Sequence, residues 1–232
     1  MSRTHLVTGA GSGIGAAVSR RLHERGDDLV LLARTEARAD DLARAFPGCS
    51  VIVADLADVE AIDRIDGLPN RLDSLLHVAG IVELAPVAEL STQHLREQLD
   101  VNLASPALLT RACLPALRAA HGTVVFVNSS AGLSAGAAWA AYAASKFGLR
   151  ALADALRAED QENGVRVTTL FPSRTATPMQ EKVHEQEGRT YDSSRWISPD
   201  TVASTLLHVL DLPTDATIPE VTVRPLVPWT PR

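Results

Sequence analysis

Leu6-Val7-Thr8-Gly9-Ala10-Gly11-Ser12-Gly13-Ile14-Gly15 is the stretch on which the fold of this chain turns. Leu6-Val7-Thr8 reads as a short strand, and a helical pattern runs from Ala16 to about Arg25. Strand, glycine turn and helix in that order let a pyrophosphate approach bare backbone. The helix N-terminus beyond the turn offers unpaired N–H groups and the positive end of a dipole. Gly9, Gly13 and Gly15 are spaced Gly-x-x-x-Gly-x-Gly rather than Gly-x-Gly-x-x-Gly. At the end of the first strand this points to nucleotide binding rather than to a plain structural turn.

Working outward, Asp28-Leu29-Val30-Leu31-Leu32-Ala33 is a second strand, with Arg34 at its end. A carboxylate at that place would bond a ribose 2′-hydroxyl, whereas a guanidinium suits a 2′-phosphate. The expected cofactor is therefore NADP(H) in preference to NAD(H). Thr35 can cap a helix running to about Phe46, which Pro47-Gly48 stops. A third strand, Ser50–Ala54, ends at Asp55, which can either accept from an adenine amino group or cap the short helix Val59–Ile65. The fourth strand, Asp73–Val78, closes on Ala79-Gly80, small residues that permit a flat ligand to come close. His77 within it is read as a satisfied core residue. A long helix starts at Ser91, with polar Asn102 among apolar neighbours, and Pro106 suggests a kink.

The second informative stretch runs from Ser129 to Lys146, after the apolar strand Val124–Val127. Tyr142 and Lys146 stand four apart, one helical turn on one face. A serine, a phenol and an ammonium are thus gathered near one strand end, and a cation beside a phenol favours the phenolate. Beyond them come a sixth strand, Val165–Phe171, and Pro172. Residues 178–197 form a polar excursion read as a mobile substrate-binding loop. Ser198-Pro199 then opens a helix to about Leu210, and Glu220–Arg224 is the last strand. The tail Pro225–Arg232, with Trp229, is read as loose or packed on a partner. Alternating strands and helices predict an α/β fold with a doubly wound parallel sheet, helices on both faces and one domain over 1–232. Gly9, Arg34, Asp55, Gly80, Ser129 and Pro172 all fall at strand carboxyl ends, where such folds bind ligands.

Composition narrows the choice. The net charge of −6, without a basic run, argues against nucleic acid. Two cysteines far apart, Cys49 and Cys113, fit neither a disulfide framework nor a metal site, and suggest reduced thiols in a cytoplasmic protein. No apolar run approaches the ~18 residues of a membrane span, and the N-terminus enters a strand too soon for a signal peptide.

Taken together, these motifs resemble the short-chain dehydrogenase/reductase family, from Thr8-Gly9-x-x-x-Gly13-Ile14-Gly15 through Asp55-Leu56, Asn102, Ser129, Tyr142-x-x-x-Lys146 and Pro172 to Thr177. The resemblance implies a single Rossmann-type domain that interconverts a carbonyl compound and its alcohol by hydride transfer. It implies Tyr142 as general acid/base, Lys146 lowering its pKa and holding ribose hydroxyls, Ser129 bonding the substrate oxygen, and Asn102 holding a water that links Lys146 to solvent. The implied cofactor set is Gly9, Ser12, Gly13, Ile14, Gly15, Arg34, Asp55, Leu56, Ala79, Gly80, Tyr142, Lys146, Pro172, Thr175 and Thr177, with Thr177 on the nicotinamide carboxamide and no metal. Homodimers or homotetramers built through helices Ser91–Leu117 and Tyr142–Gln161 are expected. Leu84, Ser134 and Trp139 are expected near the substrate.

Three departures stand out. His77-Val78-Ala79-Gly80 replaces the family's Asn-Asn-Ala-Gly, and Pro172-Ser173 replaces Pro-Gly. Ser129 competes with Ser130 for the catalytic place: the interval to Tyr142 favours Ser129, and the habit of using the second of two serines favours Ser130. Competing functions are a nucleotide-sensing protein without chemistry and an NAD-dependent alcohol dehydrogenase. Lyases and epimerases of this fold are typically longer, with a C-terminal substrate domain.

Overall fold

The computed structural model describes residues 2–227. The tail residues from 228 on, Trp229 among them, lie outside the described residues. Seven strands form one sheet: β1 Thr4–Thr8, β2 Asp28–Ala33, β3 Ser50–Val53, β4 Ser74–His77, β5 Thr123–Val127, β6 Arg166–Pro172 and β7 Glu220–Val223. Their spatial order is β3-β2-β1-β4-β5-β6-β7, and every pairing is parallel. The order reverses between β1 and β4, so a crevice opens there at the strand carboxyl ends.

The strands are apolar almost throughout because helices cover both faces. Neighbours in β1 illustrate this. Val7 joins one core with Val18 and Leu22 of α1 (Gly13–Glu24) and with Val202, Leu206 and Val209 of α8 (Pro199–Leu210). Leu6 joins the other, with Leu109 and Leu117 of α5 (Ser105–Ala120) and Leu149 and Leu156 of α6 (Ala140–Asp160). His77 is a core residue, as expected: it is buried, bonds Thr110 Oγ1 at 2.8 Å and stacks on Phe126 at 4.9 Å between centroids.

Helix starts follow the capping rules read from the sequence. Thr35 accepts from the Arg38 amide ahead of α2 (Glu36–Ala45), and Ser198 accepts from the Asp200 amide ahead of α8. Three expectations change. The short helix α3 (Val59–Asp63) is capped by Asp58, not Asp55; Asp55 instead turns back onto the Ala57 amide at 3.0 Å. The long helix begins as α4 (Thr92–Leu99) and continues into α5 through a π-helical turn, Asp100–Ala104, which carries Asn102. Pro106 is not a kink within a regular helix: it lies in the first turn of α5, just past this widened turn, where a missing N–H does least harm. Finally, 178–197 is not a mobile loop throughout. Thr177 caps a helix, α7 (Pro178–Gln186), by accepting from the Gln180 amide at 3.3 Å.

Tertiary bonds hold α7 in place. Gln186 accepts from the Leu84 amide and donates to Glu83, which also takes Lys182 Nζ at 2.7 Å. Val183 and Met179 pack against Val82, Leu84 and Tyr142.

Candidate active site

A cleft of about 650 Å³ lies at the carboxyl edge of the sheet, under α7. Its floor begins at the glycine turn. Gly9 has φ +74°, and a Cβ there would stand 2.8 Å from the Ala79 amide nitrogen. Gly13 has φ +52°, and a Cβ would stand 2.9 Å from Thr177 Cγ2; one on Gly15 would overlap the Gly9 carbonyl. Ser12, the N-cap of α1, spends no side-chain bond on the helix N-terminus. The first-turn amides therefore remain available to an anion. This cradle of bare backbone fits the diphosphate of a dinucleotide.

β5 leads into the polar part of the cleft wall. Its last residue, Val127, is followed by Asn128, whose buried amide holds the next element in register. Asn128 Oδ1 accepts from the Ser129 amide at 2.8 Å, and Nδ2 donates to the Lys146 carbonyl at 2.9 Å. The strand end is thereby tied to the second turn of α6. Ser129 Oγ accepts from the Ala131 amide at 3.1 Å and hydrogen-bonds the Tyr142 phenol. Of the two adjacent serines, Ser129 is the one bonded to Tyr142; Ser130 lies in the cleft wall beside it. Lys146 Nζ is buried and donates to the Val127 carbonyl at 3.1 Å, 5.7 Å from the Tyr142 ring centroid.

The electrostatics differ from the expectation that Lys146 sets the phenol. Burial pushes Tyr142 up to about 12, opposed by its hydrogen bond to Ser129. Burial brings the Lys146 ammonium down to about 8. Removing both groups from water penalises the phenolate and the ammonium alike. At neutral pH Tyr142 is a neutral acid beside a cation.

Asn102 stands behind this wall. Its Oδ1 accepts from the Ile81 amide at 2.9 Å, and its Nδ2 donates to the Ile81 carbonyl and to Ser145 Oγ at 3.0 Å. Ser145 in turn donates to the Tyr142 carbonyl at 2.7 Å. A Cβ on Gly80 would come within 3.2 Å of Asn102 Oδ1 and 3.6 Å of Lys146 Nζ, so the small residue keeps this corner open.

Of the residues singled out from sequence, Gly9, Ser12, Gly13, Ile14, Gly15, Ala79, Gly80, Ser129, Tyr142, Lys146, Pro172, Thr175 and Thr177 line the one cleft, as do Ser134 and Trp139. Arg34, Asp55, Leu56 and Asn102 are not in its wall. Arg34 is exposed at the end of β2 and Asp55 half-buried beyond β3, both on the same sheet edge. The Leu56 carbonyl accepts from Ser105 Oγ. Asn128 and Arg174 belong to the site but were not singled out, and Asn128 leaves one trace in the sequence, a polar residue closing an apolar run; Met179, Val183 and Trp196 fall within the 178–197 segment expected to bind substrate, though not named individually. Among the described residues no cluster of His, Cys, Asp and Glu can hold a metal, and no helix is long and apolar enough to cross a membrane.

Comparisons with known proteins agree with this geometry. The family model described as short chain dehydrogenase matches residues 3–188. An uncharacterized short-chain type dehydrogenase/reductase of Sinorhizobium fredii is 32% identical over 226 residues, covering 95% of this chain and 90% of that protein. A crystal structure of a short chain dehydrogenase from Escherichia coli CFT073, complexed with NADPH, is 29% identical with a TM-score of 0.87, covering 96% of this chain and 97% of the other. A short chain dehydrogenase from Salmonella enterica matches equally, at 29% identity and a TM-score of 0.87, covering 97% of each chain.

Proposed function

The chain belongs to the short-chain dehydrogenase/reductase family, and from that premise we propose that it interconverts a carbonyl compound and its alcohol with NADP(H). One observation carries the reading: the buried Tyr142 phenol, bonded to Ser129 and one helical turn from Lys146, stands in the wall of the glycine-lined cleft. The cofactor, when bound, supplies the hydride. The residues placed to hold it are the glycine turn with Ser12 and Ile14, Ala79 and Gly80, and Pro172, Thr175 and Thr177, with Arg34, Asp55 and Leu56 toward the adenosine end. The exposed Arg34, in place of a carboxylate, favours a 2′-phosphate, and the NADPH complex of the E. coli relative supports the same choice.

Ser129 orients the substrate oxygen. Tyr142, protonated at neutral pH because burial holds its pKa near 12, gives up its proton as negative charge develops on that oxygen. The Lys146 ammonium stabilises the resulting phenolate and is available to the ribose hydroxyls. Asn102 Oδ1 has one lone pair left after bonding the Ile81 amide, and that lone pair can take a water next to Lys146. The segment 178–197, helical at its start, shapes the substrate side. We place the enzyme in the cytoplasm as a homodimer or homotetramer.

A panel of ketones and aldehydes, assayed with NADPH and with NADH by nicotinamide absorbance, tests the reading. Turnover with NADPH ahead of NADH is expected, and Arg34→Asp reverses the order. An unchanged order removes Arg34 from cofactor selection, and NADPH binding without turnover of any carbonyl compound reduces the protein to a nucleotide binder.

A further inference from the structure

The charged groups in the cleft wall are all of one sign. Lys146, Arg174 and Arg224 line it, and among the described residues no Asp or Glu does. The chain carries a net charge of −6, so this is a local reversal of the overall balance. A cleft lined by one sign concentrates ligands of the other.

Part of that charge serves the cofactor, but its position separates the uses. The glycine turn follows β1 and Arg34 follows β2, whereas Arg174 follows β6 and Arg224 follows β7. In the strand order β6 and β7 lie three and four places from β1, roughly 14 and 19 Å at about 4.8 Å per strand. Arg224, at the β7 edge, is therefore set well away from the diphosphate cradle, whereas Arg174 sits on the segment whose Thr177 reaches Gly13.

The pair divides further. Arg174 is engaged from behind by Glu187, which meets its two terminal nitrogens at 2.9 and 2.5 Å. Its guanidinium also lies 6.0 Å from the Trp139 ring and 5.5 Å from that of Trp196. Trp139 in turn meets the Tyr142 ring edge-on, 5.7 Å between centroids. Arg174 thus positions a flat aromatic wall beside the reacting phenol. Arg224 is exposed and has neither a hydrogen bond nor an ion pair among the described residues, so none of the described carboxylates answers it.

We infer that the substrate is a carbonyl compound, or its alcohol, bearing a carboxylate, and that Arg224 is the specificity-determining residue that reads it. The carbonyl sits at Tyr142, the apolar body lies along Val82, Trp139, Met179 and Val183, and the carboxylate points to the mouth at β7. A guanidinium fork matches a planar carboxylate in two parallel bonds. This narrows the substrate class of the reductase reading above and rests on it.

The test uses the full chain with NADPH and three aryl keto acids of increasing reach, benzoylformate, 3-benzoylpropionate and 4-benzoylbutyrate, each beside its methyl ester. A charge-assisted bond predicts that at least one acid exceeds its ester by roughly ten- to a hundredfold in kcat/KM. Arg224→Gln should erase that gap by raising the acid's KM, with the ester's kcat/KM moving far less than the acid's. Esters equal to acids at every length, or a variant that slows acid and ester alike, overturn the inference. Titration of tryptophan fluorescence with the same acids, in the NADP+-loaded protein, judges it separately from turnover. If no carbonyl compound reacts, the reductase reading has failed; acid-induced quenching lost in Arg224→Gln still supports the carboxylate site, and quenching unaffected or absent refutes it.

Discussion

Asn128→Ala isolates the joint between the sheet and helix α6, which carries Tyr142 and Lys146. Asn128 is 3% exposed and its side chain makes two bonds, from the Ser129 amide at 2.8 Å and to the Lys146 carbonyl at 2.9 Å. Truncation strands a buried N–H, which costs about 2 kcal/mol. The carbonyl, at a mid-helix position, keeps its helical partner, so its loss adds about 1 kcal/mol. The space left beside Gly132 contributes on the order of 1 kcal/mol more. A total of about 3–4 kcal/mol corresponds to a fall in Tm on the order of 10 °C for a chain of this size. The chemistry should suffer as well, because the freed Ser129 no longer holds the phenol. Below the variant's Tm, kcat should drop about tenfold while NADPH affinity, set at the far side of the crevice, changes less than twofold. Thermal unfolding and steady-state kinetics read the two effects. A Tm within about 2 °C of wild type with unchanged kcat would show that the Asn128 bonds hold nothing that matters.

The remaining predictions concern burial and close approach. Burial lowers His77 to about 3 and His5 to about 4, from 6.5 in each case. The unfolded chain therefore takes up protons that the folded one refuses as pH falls below 6.5, and stability drops through that window. Between pH 6.5 and 5.5 the pair should remove about 2 kcal/mol, seen as a lower urea midpoint, and His77→Gln should halve the slope; an identical slope in the variant would exclude His77 as a source. Gly15→Ala places a methyl group on the Gly9 carbonyl. The turn must shift, and NADPH binding measured by its fluorescence should weaken at least tenfold, roughly 1.4 kcal/mol; unaltered affinity would mean the cradle does not hold the cofactor.

The sheet was legible because its strands are buried on both sides and carry near-continuous apolar runs. Helix starts with their own caps, such as Thr35 and Ser198, were legible for the same local reason. Where two candidates stood close together, local reading took the wrong one: Asp55 and Asp58 both follow β3, and Asp58, directly before Val59, is the cap, while Asp55 accepts from the Ala57 amide. Helix α7 escaped because its sequence, PMQEKVHEQ, is mostly polar. What fixes it is distant, the bonds of Gln186 and Lys182 to the 83–84 backbone and Glu83. The π-helical turn likewise presents Asn102 to Ile81, a partner 21 positions away that no periodicity reveals. The pKa of Tyr142 departs from the sequence expectation for a related reason. Spacing along a helix reports the neighbouring cation but not the loss of water, and in this cleft the loss of water is the larger effect.

The central claim is that the Tyr142 phenol delivers the proton that completes reduction. Tyr142→Phe keeps the ring against Trp139 and removes only the oxygen. With any carbonyl compound the wild type reduces, kcat should fall by about two to four orders of magnitude, while NADPH binds within twofold of wild type. A variant that turns over within about threefold of the wild-type rate would contradict the account.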